Sequence, residues 1–250
     1  MKNERLLRRP RVTRRGIAFA LPLACLLAVP ARAAAPLRVP DTMAQRVQAC
    51  TPCHGKEGRA TPDGYYPRIA GKPDGYLHNQ LLNFREGRRV YAPMTHLVST
   101  LSDEYLKEIA SHFAALDLPY APPERPAVAP ATLERGRALV MDGLPAKEVP
   151  ACVQCHGQRL TGVAPALPGL LGLSRDYLNA QFGAWRNGQR HAQAPDCMGG
   201  IARRLEPEDI AAVAAWLATQ PVPADAKPAA TLPAPLPLRC GGVPEGQQRK

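Results

Sequence analysis

Two short segments of the chain carry the same residue types at the same spacing. In each, a histidine directly follows the second of two cysteines that are three positions apart. The residues are Cys50, Cys53 and His54 in the first segment and Cys152, Cys155 and His156 in the second. This spacing is typical of covalent haem c attachment, in which each thiol adds to a haem vinyl group and the imidazole becomes an axial iron ligand. We therefore predict two covalently bound haem c groups.

A zinc site or a redox-active cysteine pair is the alternative interpretation of these segments. A structural zinc ion needs four ligands, which usually include a second pair of Cys or His nearby. Neither half of the sequence offers such a pair at the usual spacing. The segments also recur within a longer repeat, which favours haem attachment at both.

One methionine follows each segment at nearly the same distance. Met94 and Met198 stand 40 and 42 residues after His54 and His156, and each precedes the start of the last helix of its copy. A thioether sulfur is an established axial ligand of haem iron, so we predict that these methionines are the second axial ligands. A lone methionine is more often a core residue, and His96 is an alternative ligand in the first copy.

The elements that must position these residues are predicted to be short helices. Hydrophobic residues make up 45% of the chain, only 5% are aromatic and 28 are proline, which suits short helices joined by long connections. Thr42 and Thr132 are typical N-caps for helices that lead into the two segments. Each last helix begins with an acidic first turn, which suits the positive end of the helix dipole.

The repeat predicts an all-α fold with two small domains. Residues 34–117 form the first domain and residues 132–220 the second. A proline-rich linker, residues 118–131, is expected to be stiff and extended between them. A proline-rich tail, residues 221–250, shows no helical pattern and is expected to be partly disordered.

Residues 1–33 are typical of a cleaved signal peptide. A basic stretch precedes an apolar run from Ile17 to Val29, and Ala31-Arg32-Ala33 forms a cleavage site. The apolar run is too short to favour a permanent membrane span. We predict export, with a mature start near Ala34; a lipid anchor at Cys25 is the less favoured alternative.

The net charge of +11 is concentrated in the predicted signal peptide. Without residues 1–33 the chain has 24 basic and 20 acidic residues, a net charge of +4. The propionates of two haems would add about four negative charges. The mature protein would be close to neutral, so no nucleic-acid partner is predicted.

Two cysteines remain outside the leader and the haem segments. They are Cys197 and Cys240. An even remainder in an exported protein favours a disulfide, which would tie the tail to the second domain. Two free thiols, or a functional thiolate at Cys197, are the alternatives that the sequence leaves open.

The order of these landmarks resembles the dihaem cytochrome c4 family. CxxCH-G, then P-x-x-x-G, then YL-x-x-Q, then a methionine before a terminal amphipathic helix all occur twice within residues 42 to 219. The resemblance implies two class-I cytochrome c domains related by pseudo-twofold symmetry, with the haems facing each other near the domain interface. It also implies that the carbonyls of Pro67 and Pro165 accept the Nδ1 protons of the two haem-binding histidines.

The resemblance further implies a periplasmic or peripherally membrane-associated carrier that gives electrons to a haem-copper terminal oxidase or another redox protein. Iron bound by both His and Met has no open coordination position, which favours electron transfer over oxygen or peroxide chemistry. We therefore predict an electron carrier of a respiratory chain and not an enzyme. The leader, the tail and Cys197 beside Met198 are departures from the family pattern.

Two alternative functions remain. The first is an enzyme similar to dihaem thiosulfate dehydrogenase, in which the thiolate of Cys197 would ligate the second haem. The second is an electron-transfer subunit of a dehydrogenase complex, which the sequence hardly separates from a free carrier.

Overall fold

The computed structural model describes residues 40–125 and 127–248. The predicted signal peptide, residues 1–33, lies outside the described residues. The described chain is mainly helical and has two short strands, which confirms the predicted all-α class. Within these residues, no helix is both long and apolar enough to cross a bilayer. Residues 40–117 are called the first half below, and residues 132–220 the second half.

The first half contains five helices. They are α1 (Met43–Arg46), α2 (Thr51–His54), α3 (Asp74–Arg85), α4 (Ala92–Val98) and α5 (Asp103–Ala114). Thr42 caps α1 as predicted, since its hydroxyl accepts the Gln45 amide at 3.3 Å. Helix α3 packs against α5, and the buried side chains of Leu77 and Phe84 lie on α3.

The second half repeats this arrangement and adds a small hairpin. Its elements are α6 (Pro130–Asp142), α7 (Val153–His156), β1 (Gly162–Val163), β2 (Leu167–Pro168), α8 (Arg175–Arg186), α9 (Cys197–Arg204) and α10 (Pro207–Ala218). Helix α6 begins at Pro130, so the prediction that Thr132 is its N-cap is wrong. Proline suits the first helical position because its φ is fixed and it has no amide proton to leave unpaired.

The crossing of α6 and α10 organises the core of the second half. Gly136 lets the two helices approach closely, because a Cβ at this position would lie 2.1 Å from the carbonyl oxygen of Ala212. Val140, Val213 and Leu217 pack around the crossing and are at most 3% exposed. The second half therefore has a continuous apolar core of its own.

The two halves contact each other through equivalent segments. The residues after α3 and α8 form an antiparallel bridge between Arg89 and Arg190. Beside it, the amide of Val90 donates to the carbonyl oxygen of Gln189 at 2.7 Å. Backbone pairing thus fixes the register of one half against the other.

Residues 221–248 of the C-terminal tail pack against the rest of the structure, although the sequence led us to expect partial disorder there. Leu236 is fully buried, and a short 3₁₀ helix covers Glu245–Gln247. A disulfide joins Cys197 to Cys240, which confirms the favoured interpretation of the two extra cysteines. Disulfide and apolar packing together explain why a proline-rich segment without helical periodicity is held in place.

Candidate functional site

One continuous cavity of about 680 Å³ runs through both halves. Its lining is mostly apolar and includes all the residues predicted to bind haem covalently or to ligate its iron. They are Cys50, Cys53, His54 and Met94 from the first half and Cys152, Cys155, His156 and Met198 from the second. The fold therefore brings residues far apart in sequence to a single apolar space.

The first histidine is held by a backbone carbonyl. His54 ends α2, is 8% exposed and donates from Nδ1 to the carbonyl oxygen of Pro67 at 2.9 Å, as predicted. Burial lowers the pKa of the ring, so the imidazole is neutral near pH 7. Nε2 has no hydrogen-bond partner within residues 40–125 and 127–248 and is left available for a metal.

The second histidine is held in the same way but by a different proline. His156 ends α7, is 7% exposed and donates from Nδ1 to the carbonyl oxygen of Pro168 at 2.7 Å. The prediction that Pro165 fills this role is wrong. Pro165 lies in the turn of the β1–β2 hairpin, and its carbonyl accepts the amide of Tyr76 from the first half at 3.0 Å.

The four cysteines of the two segments are half-buried and form no disulfide. Burial raises the pKa of Cys50, that of Cys152 to about 12 and that of Cys155 to about 11. A redox-active cysteine pair normally has a lowered thiol pKa, so these surroundings do not favour that alternative. No group of three or more His, Cys, Asp and Glu side chains suited to a metal ion is found in the described part of the chain.

The two methionines lie on the short helices that precede the last helix of each half. Met94 belongs to α4 and packs with Phe84 and Val98, while Met198 is the second residue of α9 and packs against the second core. His96, the alternative ligand, is exposed and does not line the cavity. The geometry favours the methionines.

Cys197 is bonded to Cys240 and has no thiol proton to lose. A thiolate ligand from Cys197 is therefore not available while this disulfide is intact. The neighbouring Asp196 caps α9, because its carboxylate accepts the amide of Gly199 at 3.0 Å. Both contacts fix the start of the helix that carries Met198.

Sequence reasoning missed a pair of arginines between the halves. Arg89 donates to Gln80 of its own half at 2.8 Å and to Gln181 of the other half at 2.6 Å. Arg190 mirrors this pattern, because it donates to Gln181 at 2.7 Å and to Gln80 at 3.1 Å. The sequence does contain a pattern that marks this arginine pair. A Gly-x-Arg sequence follows the central helix in both copies and begins at Gly87 and at Gly188.

These two arginines are cations without a carboxylate partner among the described residues. Arg190 is 5% exposed, and its guanidinium lies 3.9 Å from the ring centre of Trp185. Burial and the nearby charge of Arg89 both lower the pKa of Arg190. Arg190 is buried and Arg89 is half-buried, and both face an apolar cavity. Positive charges in such surroundings favour an anion beside them, and the carboxylates of haem are anions of the right chemistry.

Two other basic residues that line the cavity are buried. Arg68 donates to the carbonyl oxygens of Leu118 and Pro119 at 2.6 and 2.9 Å, which fixes the start of the linker. Lys72 donates to the carbonyl oxygen of Gly169 in the other half at 3.1 Å. Both therefore join segments of the chain and are not free to steer a partner.

Comparison with known proteins gives one family model and several similar chains. The cytochrome c family model matches residues 133–221. The thiosulfate dehydrogenase electron acceptor of Thiomonas intermedia (strain K12) is 36% identical over 176 residues, which cover 70% of this chain and 79% of the relative. Cytochrome c4 of Pseudomonas aeruginosa (strain PAO1) is 32% identical, with 69% and 84% covered.

Solved structures agree with these relatives. The thiosulfate dehydrogenase (TsdBA) from Marichromatium purpuratum superimposes with a TM-score of 0.62 and 32% identity over 69% of this chain, but this covers only 36% of that longer chain. Reduced recombinant cytochrome c4 from Pseudomonas stutzeri gives a TM-score of 0.59 and 27% identity, and covers 71% of this chain and 96% of the other.

Proposed function

Since the chain belongs to the dihaem cytochrome c4 family, we propose that it accepts electrons from a thiosulfate-oxidising dehydrogenase and passes them towards a terminal oxidase. It is an electron carrier with two covalently bound haem c groups. The choice of donor is supported by two relatives named thiosulfate dehydrogenase electron acceptor, each 36% identical, compared with 29–32% for the cytochromes c4. A haem-copper oxidase as the final acceptor follows from the family resemblance.

The observation that carries an electron relay is the single cavity lined by both Cys-x-x-Cys-His segments and both methionines. Cys50 and Cys53 would hold one haem through thioethers, and Cys152 and Cys155 the other. The axial pairs would be His54 with Met94 and His156 with Met198. When bound, haem c supplies reversible one-electron chemistry at its iron.

The residues of the chain fix the ligands and tune the site. The carbonyls of Pro67 and Pro168 hold each imidazole in the tautomer that leaves Nε2 for the iron. Methionine thioethers as iron ligands would favour ferrous iron, and the apolar lining would exclude water. Both effects would raise the reduction potential. Arg89 and Arg190 would neutralise haem carboxylates at the boundary between the halves.

We also propose a domain organisation and a route of export for the chain. Residues 34–117 and 132–220 would be two class-I cytochrome c domains related by pseudo-twofold symmetry, with residues 118–131 as the linker. Residues 1–33 would direct export to the periplasm, where thiosulfate-derived electrons enter the respiratory chain. Any association with the membrane would be peripheral.

The enzyme alternative would require a thiolate from Cys197 on the second iron. The disulfide to Cys240 does not permit it in this structure. The chain also aligns with only 36% of the thiosulfate dehydrogenase chain from Marichromatium, so the enzymatic activity named there is not carried over. An electron-accepting partner of such an enzyme is the function that these facts favour.

Stopped-flow spectroscopy with a purified thiosulfate dehydrogenase tests this proposal. A pyridine haemochrome assay with mass spectrometry first establishes two haems per chain and the mature N-terminus. Thiosulfate alone should leave the oxidised protein unchanged, and thiosulfate with catalytic amounts of the dehydrogenase should reduce both haems. Reduction by thiosulfate alone would support the enzyme alternative, and no reduction in either case would reject the proposed donor.

A further inference from the structure

The C-terminal segment, residues 221–248, packs directly over the second Cys-x-x-Cys-His segment. Cys155 contacts an apolar cluster in which Val163 and Leu167 come from the hairpin and Leu236 and Val243 come from the tail. Leu236 is 0% exposed. The side of the cavity next to Cys155 is therefore closed by the tail together with the hairpin.

Backbone contacts hold the tail against the hairpin. The amide of Ala229 donates to the carbonyl oxygen of Gly162 at 2.9 Å, and the amide of Ala164 donates back to Ala229 at 2.8 Å. The side chain of Gln247 also donates to the carbonyl oxygen of Ala164. These contacts align the tail along the β1–β2 turn.

A second group of contacts joins the tail to the loop before Met198. The amide of Gly241 donates to the carbonyl oxygen of Pro195 at 3.0 Å, next to the Cys197–Cys240 disulfide. A Cβ at Gly241 would lie 2.1 Å from the carbonyl oxygen of Ala194, so the tail lies tightly against this loop. The residue that follows Cys197 is the predicted iron ligand Met198.

In the first half, exposed hydrophobic side chains border the cavity. Of the four large hydrophobic side chains most exposed among the described residues, three line the cavity: Tyr65 at 59%, Val90 at 62% and Leu97 at 43%. All three belong to the first half. The fourth, Met141 in the second half, does not line the cavity.

We propose that residues 221–248, anchored by the Cys197–Cys240 disulfide, are a built-in cover of the second haem site. The cover shields that site from redox partners and solvent and steadies the loop that presents Met198, so external electron exchange takes place at the first half. This inference rests on the proposed assignment of Cys152, Cys155 and His156 to the second haem. Because shielding from water raises a haem potential, loosening the cover lowers the potential of the second haem only.

The Cys240→Ser holoprotein tests the cover. In the wild type, a soluble neutral gadolinium chelate should broaden the haem proton NMR signals of the first site and leave those of the second site sharp. The variants Met94→Ala and Met198→Ala assign the two sets of signals to the two sites. In Cys240→Ser the second set should lose this protection and the second potential should fall. Cys197→Ser breaks the same bond from the other end and should give the same loss.

Lys227→Ala is the control, because it removes only an exposed 3.4 Å ion pair between the tail and Asp117. This variant should change neither the protection of the second haem from the chelate nor its potential.

Two further measurements keep the test decisive. If a serine variant does not mature, the disulfide of the wild-type holoprotein is cut with a water-soluble phosphine, and alkylation with mass analysis verifies two new thiols. Leu236→Asp displaces the tail while the disulfide stays intact and should also remove the protection. Equal broadening of the signals of both haems in the wild type would overturn the inference. Full protection of the second haem after the disulfide is broken and in Leu236→Asp would also overturn it. A wild-type protein with only one haem would instead overturn the proposed function.

Discussion

At the scale of single residues, the site depends on how each buried polar atom is paired. His54 and His156 each use Nδ1 for a proline carbonyl, and burial keeps both rings neutral, which is the state that a metal ligand requires. Arg89 and Arg190 share two glutamine acceptors and are left with net positive charge. The residues therefore supply neutral ligands to the iron and cations to the haem carboxylates.

Replacement of either methionine tests the axial assignment. Met94→Ala and Met198→Ala should each remove about half of the methionine-to-iron charge-transfer absorption of the oxidised protein, because one of two thioether ligands is lost. The potential of the altered haem should also fall. His96→Ala is the matched control in the same helix, and loss of the band in that variant would contradict the assignment of Met94.

Replacement of Arg190 tests the role of the arginine pair. A buried positive charge near a haem favours the reduced iron by roughly 1 kcal/mol, which corresponds to roughly 40 mV for one electron. Arg190→Leu should therefore lower the potential of at least one haem in a spectroelectrochemical titration. Arg203→Leu removes the same charge from the exposed face of α9, where salt screens it, and should leave both potentials unchanged. A similar shift in both variants would rule out a specific effect of Arg190.

The sequence predicts the metal-binding residues better than the residues that support them. Spacing within the chain is sufficient to find the cysteines, histidines and methionines, since each recurs in register. Pro168 was missed because the hairpin in the second copy places the contact 12 residues after the histidine, at a proline other than the one aligned by the P-x-x-x-G pattern. Arg89 and Arg190 repeat as well, but only the packing of the two halves shows that they share acceptors.

At the scale of elements, close helix crossings position the two sites. The central helix of each half supplies apolar side chains, and the last helix packs behind it. The all-α class and the order of helices could be predicted from the repeat, whereas the 3₁₀ turns and the two-strand hairpin could not. These short elements have no periodicity of their own and are fixed by contacts that are distant in sequence.

Glycine-to-alanine changes on α6 and α8 test how tightly these crossings are packed. Gly136→Ala would place a Cβ 2.1 Å from the Ala212 carbonyl oxygen, so α6 and α10 must separate. We expect a loss of about 1–3 kcal/mol in the free energy of unfolding, measured by denaturant titration. Gly183→Ala on α8 meets nothing within 4 Å and should gain up to about 1 kcal/mol from helix propensity. Equal effects of the two changes on the free energy of unfolding would show that helix propensity, and not packing at the crossing, determines stability at these positions.

At the scale of the whole molecule, two copies of one module have become unequal. The second half is closed by a disulfide-anchored tail, and the first half presents exposed apolar side chains around the same cavity. The internal repeat predicts two similar sites, but the repeat carries no information on a tail that follows it only once. The inequality confines contact with redox partners to the first half.

Exposed apolar residues of the two halves test whether redox partners dock on the first half. Val90→Asp places a charge at the rim of the first site, where burial of a valine against a partner contributes roughly 1.5–3 kcal/mol. The second-order rate constant for reduction by thiosulfate dehydrogenase should fall by about tenfold or more, since each 1.4 kcal/mol is about a factor of ten. Met141→Asp adds the same charge to an exposed hydrophobic position of the second half that does not line the cavity, and its rate should stay near that of the wild type. Equal slowing of both variants, or no effect of Val90→Asp, would place the docking surface elsewhere than on the first half.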